Sequence, residues 1–304
     1  MRQPIAVTGA SGFIGGHLLE HFAARGTDVV VVRRPFEPRS LLDALGRVDA
    51  VVHLAGVVSA VRDADYLAAN VEGTRAVAEA ARTAGVPMIL ISSLAAAGPA
   101  PPESPRSEDD PPAPINTYGR SKLQGERVIA GVDGLGWTIL RPGVVYGPRD
   151  RALLPLFRFA ARGLLPLVGR ADAAYTFVHV SDLVRAIAAA VDRPAAGDTI
   201  FVGHRVPVTT RGLLEGVRAA TGGRAALIRV PLWLTRLAAS GGDIAGALSG
   251  RPALINSRRY AELASEGFVC RVDRLRARLG VTAEIDLEKG LADAATWYRR
   301  EGWL

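Results

Sequence analysis

Three side chains of this sequence have the types and the spacing needed to move a proton: Tyr118, Lys122 and Ser93. Tyr118 and Lys122 lie four residues apart in a stretch, residues 118–130, whose pattern predicts a helix, so they share one face of it. Because an ammonium group favours a nearby phenolate, we expect Lys122 to lower the tyrosine pKa from its reference value of about 10. Tyr118 would then serve as an acid or base at neutral pH. The alternative is a surface tyrosine and lysine on an amphipathic helix.

Ser93 and Leu94 lie at the end of a predicted strand, residues 88–92. Ligands of open α/β sheets collect at the carboxyl ends of the strands. We therefore expect the Ser93 hydroxyl to hydrogen-bond the reacting oxygen and to orient it towards Tyr118, with Leu94 beside the substrate. The simpler alternative is that Ser92 and Ser93 only cap the end of the strand.

Three glycines at a spacing of three follow the first predicted strand, residues 5–8, and precede a helix predicted over residues 17–25. Glycine permits a tight turn and lets backbone N–H groups approach a pyrophosphate, which then lies at the positive end of the helix. The turn of residues 9–16 therefore predicts a dinucleotide site, and a turn needed only for helix–sheet packing is the alternative. The residues expected to bind the cofactor here are Gly9, Ser11, Gly12, Phe13, Ile14 and Gly15.

Arg33 and Arg34 follow the second predicted strand, residues 28–32, at the place where NAD-binding proteins usually have a carboxylate. A carboxylate there would repel the 2′-phosphate of NADP, whereas a guanidinium can bind that phosphate with two hydrogen bonds. The pair therefore predicts NADP in preference to NAD. The alternative is two ordinary surface arginines, because the chain has only two lysines, Lys122 and Lys289, among its 37 basic residues.

Strand-like and helix-like segments alternate through the first half of the chain, which predicts an α/β fold with a Rossmann-type, doubly wound, mostly parallel sheet. The stretch between residues 32 and 51 has room for one helix only, over about residues 40–46, so we expect the sheet to lack an edge strand. We assign residues 1–165 to an NAD(P)-binding Rossmann domain, to which residues 178–203 return. Residues 166–304 form mainly a smaller, mostly helical lobe that binds the substrate.

Residues 98–114 contain seven prolines and an acidic patch, which predicts an irregular segment. Its position between a strand end and the helix of Tyr118 allows two interpretations, a solvated loop or a lid over the site.

The composition excludes several classes of protein. The formal net charge is +7, but the basic residues are spread over the 304 residues without a dense run, so nucleic acid is not an expected partner. No apolar stretch approaches the roughly 20 residues of a membrane-spanning helix, and no signal peptide is visible, so we expect a cytoplasmic protein without a membrane partner. The single cysteine, Cys270, cannot form an intramolecular disulfide; we expect a buried, inert thiol and no metal site.

Taken in order, these blocks resemble the extended short-chain dehydrogenase/reductase family, also called the NAD-dependent epimerase/dehydratase family. The resemblance runs along nearly the whole chain. Besides the glycine turn and the three proton-moving residues, it is carried by His53-Leu54-Ala55-Gly56, Asn70-Val71-Glu72-Gly73-Thr74, Leu140-Arg141-Pro142-Gly143-Val144-Val145-Tyr146-Gly147-Pro148, Phe177-Val178-His179-Val180-Ser181-Asp182-Leu183 and Trp297-Tyr298-Arg299.

The resemblance implies that Ser93, Tyr118 and Lys122 form the catalytic set, that the substrate is a small molecule and that the protein is a homodimer. It also implies a substrate contact at Val144. The cofactor lining that it implies outside the glycine turn consists of Leu54, Ala55, Gly56, Asn70, Tyr118, Lys122, Pro142 and Val145.

Three departures from the family pattern bear on the substrate and the coenzyme. Nucleotide-sugar members often carry asparagine where this chain has Val144 and arginine where it has Tyr175, and both of those groups bind a diphosphate. The short segment after Arg34 lacks the strand and the Asp-Leu pair that usually contact adenine. We therefore expect an NADPH-linked reductase or dehydrogenase of a carbonyl compound or secondary alcohol. The alternatives are a sugar epimerase or dehydratase with internal redox chemistry, and a non-catalytic dinucleotide-binding sensor.

Overall fold

The structure is a computed structural model, and it describes residues 4–193, 197–250, 253 and 256–304. The strands are β1 (Ile5–Thr8), β2 (Val29–Val32), β3 (Ala50–His53), β4 (Met88–Ile91), β5 (Trp137–Pro142), β6 (Val144–Tyr146), β7 (Leu164–Val168), β8 (Ala174–Tyr175), β9 (Phe177–His179), β10 (Asp198–Val202), β11 (Val208–Thr209), β12 (Ala226–Val230) and β13 (Gly267–Phe268). The α-helices are α1 (Phe13–Ala24), α2 (Pro38–Leu45), α3 (Asp63–Leu67), α4 (Gly73–Ala84), α5 (Thr117–Ala130), α6 (Leu154–Ala161), α7 (Val180–Asp192), α8 (Thr210–Ala220), α9 (Leu232–Ser249), α10 (Ser257–Leu263), α11 (Asp273–Leu279) and α12 (Leu287–Arg300). A π-helical turn covers Ala68–Glu72 and a 3₁₀ turn covers Leu94–Ala96.

A parallel sheet of six strands, in the order β10-β5-β4-β3-β1-β2, forms the centre of the molecule. One buried core joins the sheet to α1 and α7, and a second core joins its other face to α2, α4 and α5. Helices on both faces explain why β1, β3 and β4 are buried at every position, as in other doubly wound sheets. The predicted Rossmann-type α/β fold is confirmed.

The sheet ends at β2, which pairs with β1 and with no other strand in the described part of the chain. One helix, α2, connects β2 to β3, so the strand that usually continues the sheet here is absent, as the short sequence predicted. At the opposite edge, β10 pairs with β5. Residues 178–203 therefore supply the sixth strand.

One predicted helix start differs from the structure. The helix expected over residues 17–25 begins at Phe13, because Gly12 already has the extended backbone of an N-cap and the residues after it are helical. This difference shortens the glycine turn, so the positive end of α1 lies closer to Gly9 than the sequence suggested.

The remaining elements form a smaller lobe with a core of its own, built around Tyr146, Phe157 and Tyr298. Its sheets have two or three short strands, β11-β8-β13 and β12-β7. The sequence pattern predicts the long helices of this lobe but not these strands. A strand of two to five residues is too short to show a clear alternation of apolar and polar side chains.

Residues 98–114 are held to the smaller lobe by backbone hydrogen bonds. Ala100 N donates to Gly267 O at 3.1 Å, and Arg106 N donates to Val269 O at 2.9 Å. The Glu108 carboxylate accepts from Phe201 N at 3.0 Å. The segment is irregular, as predicted. Ala100 and Arg106 fasten it to the smaller lobe, and Glu108 fastens it to β10 of the central sheet.

In the described part of the chain no helix is both long and apolar enough to span a membrane, and no cluster of metal-ligating side chains occurs.

Candidate active site

The structure brings Ser93, Tyr118 and Lys122 together at the carboxyl end of β4. Asn116 caps α5 by accepting a hydrogen bond from Gly119 N at 2.8 Å, which places Tyr118 in the first turn. The Ser93 hydroxyl lies close enough to Tyr118 to lower the pKa of the phenol. Lys122 is buried, and its Nζ donates to the Ile91 carbonyl at 2.7 Å. Ser93 and Lys122 thus both lie at the end of β4, and the catalytic role of the three side chains stays a prediction.

Small residues let α5 approach its neighbours closely enough to build this arrangement. A Cβ atom at Gly119 would collide with the Ala95 carbonyl, and one at Gly125 would lie 2.5 Å from Asn70 O. Ser121 lies on the same side and accepts a hydrogen bond from Asn70 Nδ2 at 2.9 Å. These contacts fix the depth of α5 against the 3₁₀ turn that follows Ser93.

The pKa of Tyr118 differs from the sequence-based expectation. Burial raises the pKa of Tyr118 to about 12, and the neighbouring charges of Glu262 and Tyr66 also raise it, while the hydrogen bond from Ser93 lowers it. The predicted lowering by Lys122 is wrong for this structure, because burial dominates the shift and Lys122 is not among the groups that change the pKa of Tyr118. Tyr118 is therefore fully protonated at neutral pH.

Burial lowers the pKa of Lys122 to about 8, and the negative charge of Glu126, one turn further along α5, acts in the opposite direction. Lys122 is thus a cation at neutral pH and loses its proton in mildly alkaline solution. Lys122 lies four residues from Tyr118 and four from Glu126, so all three residues share one face of α5. Glu126 belongs to a buried network of charged side chains.

That network consists of Ser92, Glu126 and Arg141, which the sequence analysis did not select. Arg141 donates to Glu126 through Nε at 2.9 Å and through Nη2 at 2.6 Å, and Ser92 Oγ donates to the same carboxylate. Glu126 and Arg141 are only 4% and 6% exposed. The sequence does contain one indication of this network. An arginine inside the apolar strand 137–142 is expected to be buried, and a buried cation requires a partner of opposite charge.

The glycine turn forms a cradle that a dinucleotide pyrophosphate would fit. Gly9 has φ +71°, and a Cβ atom there would lie 2.7 Å from Ala55 N. At Gly15 a Cβ atom would collide with Gly9 O. No side chain caps the start of α1, and its first turn has no acidic residue, so the backbone N–H groups there remain directed towards an anion. Ser11 is exposed beside this turn, and Phe13 and Ile14 open the helix.

The loop after β3 is held against the cradle. Ala55 N donates to Thr8 Oγ1 at 3.2 Å, and a Cβ atom at Gly56 would lie 2.8 Å from Asn70 Oδ1. Asn70 accepts from Val57 N at 2.8 Å and donates to Val57 O at 2.9 Å. Its amide is therefore used to position the loop of Leu54, Ala55 and Gly56, rather than left free for a ligand.

The remaining residues expected at the cofactor and substrate lie where the sequence placed them along the sheet edge. Pro142 is the last residue of β5, and Val144 and Val145 begin β6 next to it. Arg33 and Arg34 follow β2 and are both exposed. In the described ranges neither guanidinium forms an ion pair with a carboxylate, so both can reach a solvent-borne anion.

The side of the site that faces the smaller lobe is apolar and carries an acid. Tyr175 stacks on Phe268 with 6.4 Å between ring centroids, beside the buried cluster that contains Leu94. The Glu262 carboxylate accepts from Asn116 Nδ2 at 2.7 Å and is close enough to Tyr118 to raise its pKa. The stacked rings therefore pack beside Leu94, and the Glu262 carboxylate lies near Tyr118.

A family model for the NAD-dependent epimerase/dehydratase family matches residues 5–203. The chain belongs to this family. The match begins at β1 and ends just after β10, so it spans all six strands of the central sheet.

Relatives of this epimerase/dehydratase-family chain have several activities. A ceramide reductase of Caulobacter vibrioides is 30% identical over 100% of this chain and 96% of that protein. A 4-hydroxy-2-methyl-3-oxo-4-farnesyl-3,4-dihydroquinoline-1-oxide ketoreductase of Stigmatella aurantiaca is 27% identical over 94% of this chain and 93% of that protein. A UDP-glucose 4-epimerase of Azospirillum brasilense is 34% identical over 45% of this chain and 47% of its own length.

Solved structures of family members have the same fold. MoeE5 in complex with UDP-glucuronic acid and NAD is 28% identical, with a TM-score of 0.78 over 98% of this chain and 99% of that one. RMD from Pseudomonas aeruginosa, complexed with NADPH, has a TM-score of 0.77 at 24% identity over 98% and 99% of the two chains. This family member is thus an NAD(P)-dependent enzyme of the extended short-chain dehydrogenase/reductase type, as the sequence predicted.

Proposed function

We propose that this enzyme is an NADPH-linked reductase of a carbonyl compound that has no diphosphate group. The bound dinucleotide supplies the hydride. Ser93 would hold the substrate oxygen by a hydrogen bond, and Tyr118 would give its phenolic proton to that oxygen. Lys122 would help to hold the ribose of the coenzyme.

The protonation state of Tyr118 supports the reducing direction. A carbonyl that accepts a hydride needs a proton donor, and a phenol with a pKa of about 12 keeps its proton at neutral pH. The protonated phenol supports the proposed role of Tyr118 as the proton donor.

The proposal on the substrate rests on two positions that lack donors for a diphosphate. A diphosphate needs cationic or amide donors, and this chain has Val144 and Tyr175 where nucleotide-sugar members often carry asparagine and arginine. The nearby cation Arg259 is paired with Glu262 at 3.4 Å. A nucleotide sugar would therefore lack two of its diphosphate contacts, whereas a neutral carbonyl compound needs neither.

Two relatives support the same assignment. The proteins named as a ceramide reductase and a ketoreductase are 30% and 27% identical and align with more than nine-tenths of this chain.

The exposed pair Arg33 and Arg34 supports NADP over NAD as the coenzyme. Charge-assisted hydrogen bonds from either guanidinium to the 2′-phosphate would each contribute about 1.5–3 kcal/mol. Replacing both by alanine should weaken NADPH binding more than about tenfold and leave NADH binding unchanged. Equal effects on the two coenzymes would contradict this role.

The first experiment is to denature the purified protein, identify any nucleotide released, and titrate the emptied protein with NADPH and NADH. An empty site that prefers NADPH, followed by reduction of apolar ketones in a substrate screen, is the expected result. Stoichiometric retained NAD would contradict the proposal and support internal redox chemistry.

The variant Tyr118→Phe tests the mechanism separately. Loss of the phenolic proton should lower kcat by a factor of about 10²–10⁴ while the affinity for NADPH stays nearly the same. Full activity in this variant would refute the role of Tyr118. If the wild-type protein binds NADPH and reduces nothing in the screen, the non-catalytic sensor becomes the better interpretation.

The second candidate function is a nucleotide-sugar epimerase or dehydratase, which the likeness to MoeE5 with its UDP-sugars favours. A single titration distinguishes the two functions. Binding of UDP-glucose that protects the protein against thermal unfolding would favour the second candidate, and no protection would favour the reductase.

The predicted homodimer and cytoplasmic location stay predictions.

A further inference from the structure

Helix α9 directs its large apolar side chains into solvent. Trp233, Leu237, Ile244 and Leu248 are 62%, 63%, 64% and 84% exposed. Their spacings of four, seven and four residues place them in one line along the helix, which we call the α9 stripe. Surface helices of globular proteins normally turn such a line towards the core, so the orientation of the α9 stripe is reversed.

The face of α9 that touches the protein is made of small residues. Thr235, Ala239 and Gly246 are buried, and each follows a residue of the stripe by two positions. Two positions correspond to a rotation of about 200° around a helix, so the α9 stripe points directly away from the protein. Helix α10 packs against α9. The exposure of the stripe therefore follows from how α9 is packed.

The formal net charge of the chain is concentrated in the segment of the sequence that contains α9. Residues 205–259 contain nine arginines and two acidic residues, Glu215 and Asp243. This segment therefore carries the entire formal net charge of +7, and the rest of the chain is balanced. The basic residues are spread evenly, as the sequence analysis found, but the acids that elsewhere neutralise them are missing here.

Two of these arginines flank the stripe directly. Arg229 lies on β12 just before α9, Arg236 lies within α9, and both are exposed. Among the residues that the structure describes, no carboxylate is within ion-pair distance of either one. Ile228 and Leu232, 49% and 36% exposed, extend the apolar surface at the same end of the helix.

We propose that the α9 stripe is a docking surface for a bilayer that carries anionic lipid. Its tryptophan and aliphatic side chains enter the headgroup–acyl boundary, while the flanking arginines meet lipid phosphates. A second copy of this chain fits the surface poorly, because two segments of charge +7 would face each other. The proposal replaces the sequence-based expectation of a protein without a membrane partner.

The docking surface borders the candidate active site. Helix α10 connects them, since it packs on α9 and its Glu262 accepts a hydrogen bond from Asn116, the cap of the helix that carries Tyr118. Docking would thus bring the site close to substrates held in a membrane. The proposal does not depend on the reductase assignment, because docking is measured without turnover.

The test uses the full-length protein and two sets of vesicles, one of phosphatidylcholine and one of equimolar phosphatidylcholine and phosphatidylglycerol. We expect co-sedimentation with the anionic vesicles at least about tenfold tighter than with the neutral ones, and weakening by salt. Brominated lipid should quench tryptophan fluorescence in the wild type. Trp233→Phe should remove that quenching, although Trp137, Trp297 and Trp303 remain.

The double variant Leu237→Gln/Ile244→Gln should lose vesicle binding and keep its thermal stability and NADPH affinity, because both side chains are exposed. Leu42→Gln, at an exposed apolar position of α2, is the matched control and should bind vesicles as the wild type does. Absence of wild-type binding, or equal binding by the double variant, would overturn the proposal. So would a wild-type dimer in sedimentation velocity that the double variant abolishes without any vesicle binding, since the stripe would then join two copies.

Discussion

Replacing Glu126 by methionine should destabilise the protein far more than the loss of a surface ion pair. The change leaves Arg141, which is 6% exposed, as an unpaired buried cation, and such a loss costs about 3–5 kcal/mol. With roughly 2.1 cal/mol/K of unfolding entropy per residue, a chain of 304 residues has an unfolding entropy of about 0.64 kcal/mol/K. The expected fall in Tm is therefore about 5–8 °C.

The assay is thermal unfolding followed by circular dichroism, with Glu72→Gln as the matched control. Glu72 pairs with Arg75 at 3.3 Å, but these side chains are 64% and 46% exposed, so their pair contributes under about 1 kcal/mol. The control should lower Tm by less than about 2 °C.

A double variant separates the loss of the Glu126–Arg141 ion pair from the cost of leaving Arg141 buried without a partner. Glu126→Met/Arg141→Met removes both ions, so it should be more stable than Glu126→Met alone. If Glu126→Met lowers Tm no more than Glu72→Gln, or if the double variant is the least stable of the three, the assignment of an unpaired buried cation is refuted.

Three further predictions concern the cofactor site and the cysteine. Gly15→Ala should weaken NADPH binding roughly ten- to a hundredfold, because its methyl group would collide with Gly9 O and overpacking costs about 1–3 kcal/mol. Gly16→Ala is the control: position 16 has room for the methyl group, so this variant should bind NADPH normally in the same titration. NADPH affinity should fall as the pH rises through about 8, where Lys122 loses its proton, and Lys122→Met should remove this dependence in pH-resolved titrations; a flat wild-type profile would count against the role of Lys122. Cys270, whose pKa burial raises to about 12, should resist iodoacetamide in mildly alkaline buffer until the protein unfolds, and rapid labelling of the native protein would contradict its burial.

The sequence predicted those features whose signals are local. The spacing of Tyr118 and Lys122 and the three-residue spacing of the glycines each specify a geometry within one turn of backbone. The missing edge strand was predictable too, because chain length alone decides whether a strand fits before β3.

Features that depend on distant partners were not predicted. Glu126 and Arg141 meet only when α5 packs on β5, so the arginine in an apolar strand indicates that a partner is needed but not which residue supplies it. The direction of the Tyr118 pKa shift follows from burial by the folded chain, which spacing along a helix does not report. The exposed face of α9 was likewise hidden, since an apolar helix in a sequence is normally read as core.

The loss of the edge strand has a consequence for solubility. Strand β2 consists of four valines, and its outer edge offers unpaired backbone groups to any other extended chain, with Val31 39% exposed. Such an edge is a template for aggregation unless the strand is short and ends in charge. Strand β2 has only four residues, and Arg33 and Arg34 follow it at once. The two arginines thus act as gatekeepers, and a change of coenzyme preference made with neutral residues there would also make the protein more prone to aggregate.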